Sequence, residues 1–198
     1  EISACLVGSE MCIRDSFING YNSVKRLNLT WYGGEPLMAF NKIKTIINKI
    51  RKECTAKICS QSIITNAFLL SSSVIRDMVD LGFSQIQISF DGDCESHDKT
   101  RFLKATGGKT FARILDNLDN LVALTPENFK IDLRINVNKA NENDFAVLYN
   151  KLMQRYGRKK INPYPGFIRE DSNDGCKMCY KSLFNSKRYP VSYTHLRA

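Results

Sequence analysis

What this chain lacks narrows its chemistry before any motif does. No stretch approaches the roughly 20 apolar residues that cross a bilayer, so no membrane association is expected. The start shows no basic segment followed by an apolar one, so no signal peptide is read there. There is no internal repeat and no low-complexity linker, and 198 residues suffice for one core but are marginal for two. Histidine is nearly absent: apart from His195 near the end, His97 stands alone, without a partner for a metal site. The seven cysteines are odd in number and come without a secretion signal, which excludes a disulfide framework and suggests a reducing cytoplasm. A net charge of +9 raises the question of nucleic acid. Yet the one dense basic run, Arg155, Arg158, Lys159 and Lys160, has only Tyr156 interleaved, and it reads as a solvated surface.

What is present is alternation. Residues 24–32 read as a strand. Phe40, Ile43, Ile46, Ile47 and Ile50 then recur at helical spacing and predict a helix over 41–53. Residues 61–65 form a short strand; Ser71–Ser73 can cap a helix carrying Val74, Ile75, Met78 and Val79, closed by Gly82. Residues 84–90 alternate cleanly, and a loop is expected from there to Thr110. A helix follows from Phe111 through Val122, then a strand over 129–137, a helix over 143–156 and a last strand over 160–163. Five strands alternating with four helices imply parallel pairing by right-handed crossovers. An open doubly wound sheet and a partial barrel both satisfy that pattern. The polar punctuation favours the barrel: Gly33-Gly34-Glu35, Thr65-Asn66, Ser89–Asp91 and Asn136–Asn138 all fall at strand C-termini, where a barrel mouth gathers its functional groups.

The most informative run is Leu27-Asn28-Leu29-Thr30-Trp31-Tyr32-Gly33-Gly34-Glu35-Pro36-Leu37. Two glycines remove side chains where a strand ends, so a ligand can lie against the backbone. Glu35 supplies a fixed acceptor, and Pro36 suits the first position of a helix. This run resembles the WxGGEPLL segment of radical S-adenosylmethionine (radical SAM) enzymes that modify peptides and proteins. Residues 64–70 are similar to that family's TNGxLL; Ser89, Asp91, Gly92, His97, Asp98 and Arg101 resemble its SxDGxxxxHDxxR; residues 106–111 resemble its GxGTF, and 133–138 its RxNV. The resemblance covers roughly residues 24–165, in order and at the expected spacings.

That resemblance implies a partial (β/α)6 TIM-type barrel, with S-adenosylmethionine as cofactor beside a [4Fe–4S] cluster. It places Gly33, Gly34 and Glu35 against the methionyl amino group and Ser89 and Arg101 on the carboxylate and ribose. The strand around Arg134–Asn138 would flank the adenosine, and Asn66, Asp91 and Asn136 complete the cofactor-binding set. A guanidinium and a hydroxyl suit a carboxylate through charge-assisted hydrogen bonds. His97 with Asp98 is expected to order its loop rather than bind metal. Ala67 stands where the family has glycine, at a turn expected to need positive φ. Cys54, Cys59 and Cys94 read as buried or incidental thiols.

In the family, a reduced cluster held by CxxxCxxC cleaves the cofactor to a 5′-deoxyadenosyl radical that abstracts a substrate hydrogen. No CxxxCxxC occurs here, and Cys5 and Cys12 have the wrong spacing. Residues 1–16 and 191–198 resemble in-frame translations of sequencing-library adapter and are set aside, His195 with them. The expectation is an internal fragment. Residues 17–165 would be strands two to six of a six-stranded barrel, truncated before its first strand and inactive as written. Residues 166–190 would begin a SPASM- or twitch-like extension in which Cys176 and Cys179 supply half of an auxiliary cluster, a zinc pair or an unused CxxC. A peptide or protein substrate and an electron donor such as flavodoxin or ferredoxin are the implied partners. Two other readings remain open: a non-catalytic peptide- or nucleotide-binding barrel that has lost the cluster, and a basic RNA-binding module.

Overall fold

The structure is a computed structural model, and it describes residues 25–54, 57–138, 141–158 and 160–167. The expectations placed on residues 1–16, on Cys176 and Cys179 and on residues 191–198 lie outside the described residues.

Five strands, β1 (Arg26–Trp31), β2 (Lys57–Thr65), β3 (Gln85–Phe90), β4 (Lys130–Val137) and β5 (Ile161–Phe167), form one sheet in the order β1-β2-β3-β4-β5. Every neighbouring pair is parallel. A doubly wound sheet reverses direction at a switch point; here each crossover lands beside the strand it left. The sheet is therefore an arc of a TIM-type barrel. Five α-helices return the chain along its outside: α1 (Phe40–Glu53), α2 (Ser72–Asp80), α3 (Cys94–Thr100), α4 (Phe111–Leu124) and α5 (Asp144–Tyr156).

Alternation along each strand divides two environments. Ile63, Ile86, Ile88, Phe90, Leu133 and Ile135 face the helices and meet Ile47, Ile75, Met78, Ile114, Leu118 and Leu148 in one continuous core. At about 25 cal/mol per Å² of apolar surface removed from water, this layer is the main source of stability. The opposite, inner face is polar. Thr30 bonds Ser62 (2.9 Å), and Ser60 donates to Asn28 (2.8 Å). Gln85 and Asn162 both donate to Asp132 (2.6 and 2.8 Å), and the Tyr164 hydroxyl donates to Gln87 (2.8 Å).

Three local features differ from the sequence reading. The segment expected as a loop up to Thr110 contains α3, a seven-residue helix started by Asp93, whose carboxylate accepts from the Glu95 and Ser96 amides. Strand β2 begins at Lys57, four residues earlier than its apolar signal. Strand β5 runs on to Phe167 through Pro163 and Pro165, prolines two apart on what is, among the described residues, an edge strand. Two such positions direct their missing N–H groups to the same side, away from β4, where no ladder bond is lost. Elsewhere local chemistry agrees with the pattern: Ser71 caps α2 by accepting from the Val74 amide, and Gly82 leaves it at φ +75°.

Candidate functional site

The strand ends carry two clusters. In the first, β1 stops at Gly33, whose φ of +131° only glycine adopts comfortably. A Cβ on Gly34 would meet nothing within 4 Å, so open space lies directly against the backbone there. Pro36 opens a 3-10 turn (Pro36–Ala39), and Glu35 caps it by accepting from the Leu37 amide (3.0 Å). The same carboxylate reaches across to the end of β2. Its Oε1 accepts from the Thr65 hydroxyl (2.6 Å) and its Oε2 from the Asn66 amide (2.8 Å). A carboxylate has about four lone-pair sites; three donors leave one acceptor position, which suits a cationic donor. Asn66 itself turns inward to its own loop, accepting from the Phe68 amide (2.9 Å). The next residue, Ala67, adopts φ +59° while fully buried, so the turn forms there without glycine.

A recess of about 300 Å³ follows Gly33, Gly34 and Glu35. Its other wall is Ala39 at the end of the 3-10 turn and Lys42, Ile43 and Ile46 of α1, so it belongs to the β1–α1 flank. It does not extend to Asn66, Ser89, Asp91, Arg101 or Asn136.

The second cluster centres on Asp91. Arg101 grips its carboxylate with two bonds, Nε to Oδ2 (2.6 Å) and Nη2 to Oδ1 (3.0 Å), and Asn136 donates to Oδ1 (2.7 Å). Burial pushes the Asp91 carboxyl pKa upward, but the Arg101 and Asn136 hydrogen bonds and the Arg101 charge outweigh it and leave it below the usual value. Behind Asp91 stands His97, fully buried against the Phe90 and Phe111 rings (centroids 5.8 and 5.5 Å). Its Nδ1 accepts the Asp91 amide proton (3.2 Å), which puts the ring proton on Nε2. Burial, reinforced by the Arg101 charge, lowers the His97 pKa to about 4. Asp98 accepts from the Thr110 and Phe111 amides (both 2.9 Å), so α3 holds the start of α4.

The structure thus brings Gly33, Gly34 and Glu35 to Asn66, and Asp91 to Arg101 and Asn136. Ser89 lies on the same inner face, in register with Arg134. Arg101, expected on a ligand carboxylate, bonds Asp91 through Nε and Nη2. Sequence reasoning missed two contributors. One is Asn141, which donates to the Asn136 carbonyl (3.1 Å) and accepts from the Asn138 amide (2.6 Å). The other is Gly166, where a Cβ would overlap Arg134 and lie 2.8 Å from Asn136 Oδ1. The run of asparagines from 136 to 143 was the available signal for the first; nothing in the sequence marks the second.

Among the described residues no three His, Cys, Asp or Glu side chains converge on a possible metal position. Cys54, Cys59 and Cys94 are separate free thiols, none fully buried. No cluster ligand set is present among the described residues, whereas the Glu35 carboxylate beside the open backbone at Gly34 has the chemistry to receive an amino acid's ammonium end. No helix among them is long and apolar enough to cross a membrane.

The profile of the Radical SAM superfamily matches residues 20–152. A Fe-coproporphyrin III synthase of Methanosarcina barkeri (strain Fusaro / DSM 804) is 28% identical over 123 residues, which is 60% of this chain and 29% of that protein. Among solved structures, native anSMEcpe with bound AdoMet and Cp18Cys peptide superposes with a TM-score of 0.72 at 19% identity, covering 93% of this chain and 50% of that one. Native anSMEcpe with bound AdoMet alone gives 0.66 at 17%, covering 87% and 48%. At such identities the structures testify to the fold alone. The chain spans about half, or less, of the length of these relatives.

Proposed function

Because this chain belongs to the radical SAM superfamily, we propose that it is the central part of an enzyme that modifies a peptide or protein by hydrogen abstraction. In this reading the chain supplies strands two to six of a six-stranded barrel, the last of them β5 ending at Phe167 rather than at the expected 165, and the residues beyond it to 190 begin a cysteine-bearing extension. The superfamily's cofactor, S-adenosylmethionine with a [4Fe–4S] cluster, supplies a 5′-deoxyadenosyl radical when bound.

The observation that carries the reading is the Glu35 carboxylate, fixed between two strand ends with one acceptor position left. In this reading that position takes the cofactor's ammonium, and the open space at Gly34 lets its carbon skeleton approach. Ser89 presents a hydroxyl on the same face. Arg101 acts through Asp91, whose second oxygen turns Asn136 toward the mouth. No CxxxCxxC occurs in the sequence and no three thiols gather among the described residues, so in this reading the cluster ligands come from another part of the parent protein, which an electron donor such as flavodoxin or ferredoxin would serve.

The relatives differ in what their names say they handle: Fe-coproporphyrin III in one, a Cp18Cys peptide in the other. The polar inner face supports the peptide. Asn28, Ser60, Gln85, Gln87, Asp132 and Tyr164 suit amides and hydroxyls better than a flat apolar macrocycle.

Calorimetric titration with S-adenosylmethionine tests the proposal. The chain should bind it, and Glu35→Gln should weaken binding roughly tenfold or more, since hydrogen bonds to a charged group are worth about 1.5–3 kcal/mol. Equal affinities in the two proteins would overturn the assignment of Glu35, and no binding by the unaltered chain would overturn the cofactor reading.

A further inference from the structure

The inner face holds a second feature that the cofactor reading does not use. Arg134 sits on β4 between Ser89 and Tyr164, with which it is in register, half-buried. A guanidinium cannot shed its charge, and a sheltered charge is costly unless paired. Both carboxylates of this face are nevertheless committed elsewhere: Asp132 to Gln85 and Asn162, Asp91 to Arg101 and Asn136. Among the described residues the Arg134 side chain has no ion pair or hydrogen bond. Its side chain is also given a bed. A Cβ on Gly166 would overlap Arg134 Nε and come within 2.9 Å of its Cγ, so the stem lies flat over a glycine where any other residue would displace it.

We infer that Arg134, laid over Gly166 and flanked by the Ser89 hydroxyl, is a carboxylate-binding site on the inner face of the barrel. The planar fork of a guanidinium matches a carboxylate with two parallel hydrogen bonds, and Ser89 can add a third. Two molecules could bring that carboxylate: the methionyl end of S-adenosylmethionine, or an acidic side chain or C-terminus of a peptide substrate. Only the choice between these sources rests on the proposed function; the site itself does not.

The side-chain Nε–H resonance of Arg134, identified by its loss in Arg134→Lys, reports the site directly. Sodium acetate should move it along a saturating curve, while sodium chloride at equal ionic strength should not. Gly166→Ala keeps the charge but removes its bed and should weaken the acetate response roughly tenfold or more, the loss expected for a charged hydrogen-bond pair. As a measure independent of that variant's folding, acetate over chloride should raise the melting temperature of the unaltered chain and not of Arg134→Gln. A response no different from chloride, or one that survives Gly166→Ala intact, overturns the inference. The source is then read from matched pairs. S-adenosylmethionine shifting the resonance while its decarboxylated analogue does not assigns the cofactor; an acidic peptide shifting it while the amidated peptide does not assigns the substrate. Absence of S-adenosylmethionine binding would count against the proposed function and leave the acetate result to stand.

Discussion

Between pH 7 and pH 4 the unfolding free energy of this protein should fall by about 3 kcal/mol on account of His97 alone, and His97→Asn should remove most of that fall. The native pKa of His97 is about 4, against about 6.5 in an unfolded chain, and each unit of difference is worth about 1.4 kcal/mol. The sign follows from which state takes up the proton. Below pH 6.5 the unfolded chain binds it first, so stability declines as pH falls from about 6.5 to about 4 and then levels off. Asp91 acts in the adjoining window. Its folded pKa lies below the unfolded value, so its contribution is whole above about pH 4 and is lost as pH falls through the lower native value. Asparagine can still accept the Asp91 amide proton, so His97→Asn separates titration from loop support. Urea midpoints at about pH 7, 5.5 and 4.5 measure the effect. Parallel declines in both proteins, or none in the unaltered chain, would refute the assignment.

Gly92→Ala should cost roughly 2–5 kcal/mol, and it should weaken S-adenosylmethionine binding through residues it does not touch in sequence. Gly92 has φ +83°, a region that costs a residue with a Cβ about 1–2 kcal/mol. Added to that is crowding: the new methyl would lie 2.7 Å from Asp144 Oδ2 and 2.9 Å from both Asn141 Nδ2 and Ser96 Cβ. Overpacking of this kind costs typically about 1–3 kcal/mol. Asn141 holds the Asn136 carbonyl, and Asn136 holds Asp91, so the displacement travels back to the mouth of the barrel. Gly107→Ala is the control. Gly107 has φ +67° but open space around it, so strain alone should appear. Denaturant unfolding of the two variants, with ligand affinity alongside, checks the prediction; equal losses would mean that the contacts around Gly92 yield freely.

The strand ends were legible because the chemistry changes abruptly there. Leu27 through Trp31 and Gln85 through Phe90 alternate, and glycines, acids and amides follow at once. Helix α3 was not legible: its seven residues, Cys94–Thr100, are polar, and its only buried member is His97. A period cannot be read from one inward position; the Asp93 cap was the local clue. Residues near in sequence do meet in space, as Asp91 and Arg101 show. Spacing along the chain put both in one site, but not the bidentate bond between them, which depends on how α3 folds back on the end of β3. Gly166 could not be read at all, because what makes it matter is a side chain on the neighbouring strand.

The segment between Arg101 and Thr110 leaves and re-enters the fold at nearly one point. The Thr110 hydroxyl bonds the Arg101 carbonyl (2.7 Å), while Asp98 holds the amides of Thr110 and Phe111. A loop pinched shut at its base is mechanically uncoupled from whatever its tip contains. Lengthening it adds only a logarithmic closure entropy, roughly 0.6 kcal/mol per doubling. The tip around residues 104–108 is therefore the place where a fluorophore, an affinity tag or a whole guest domain can be spliced in, leaving the grip of Arg101 on Asp91 where it was.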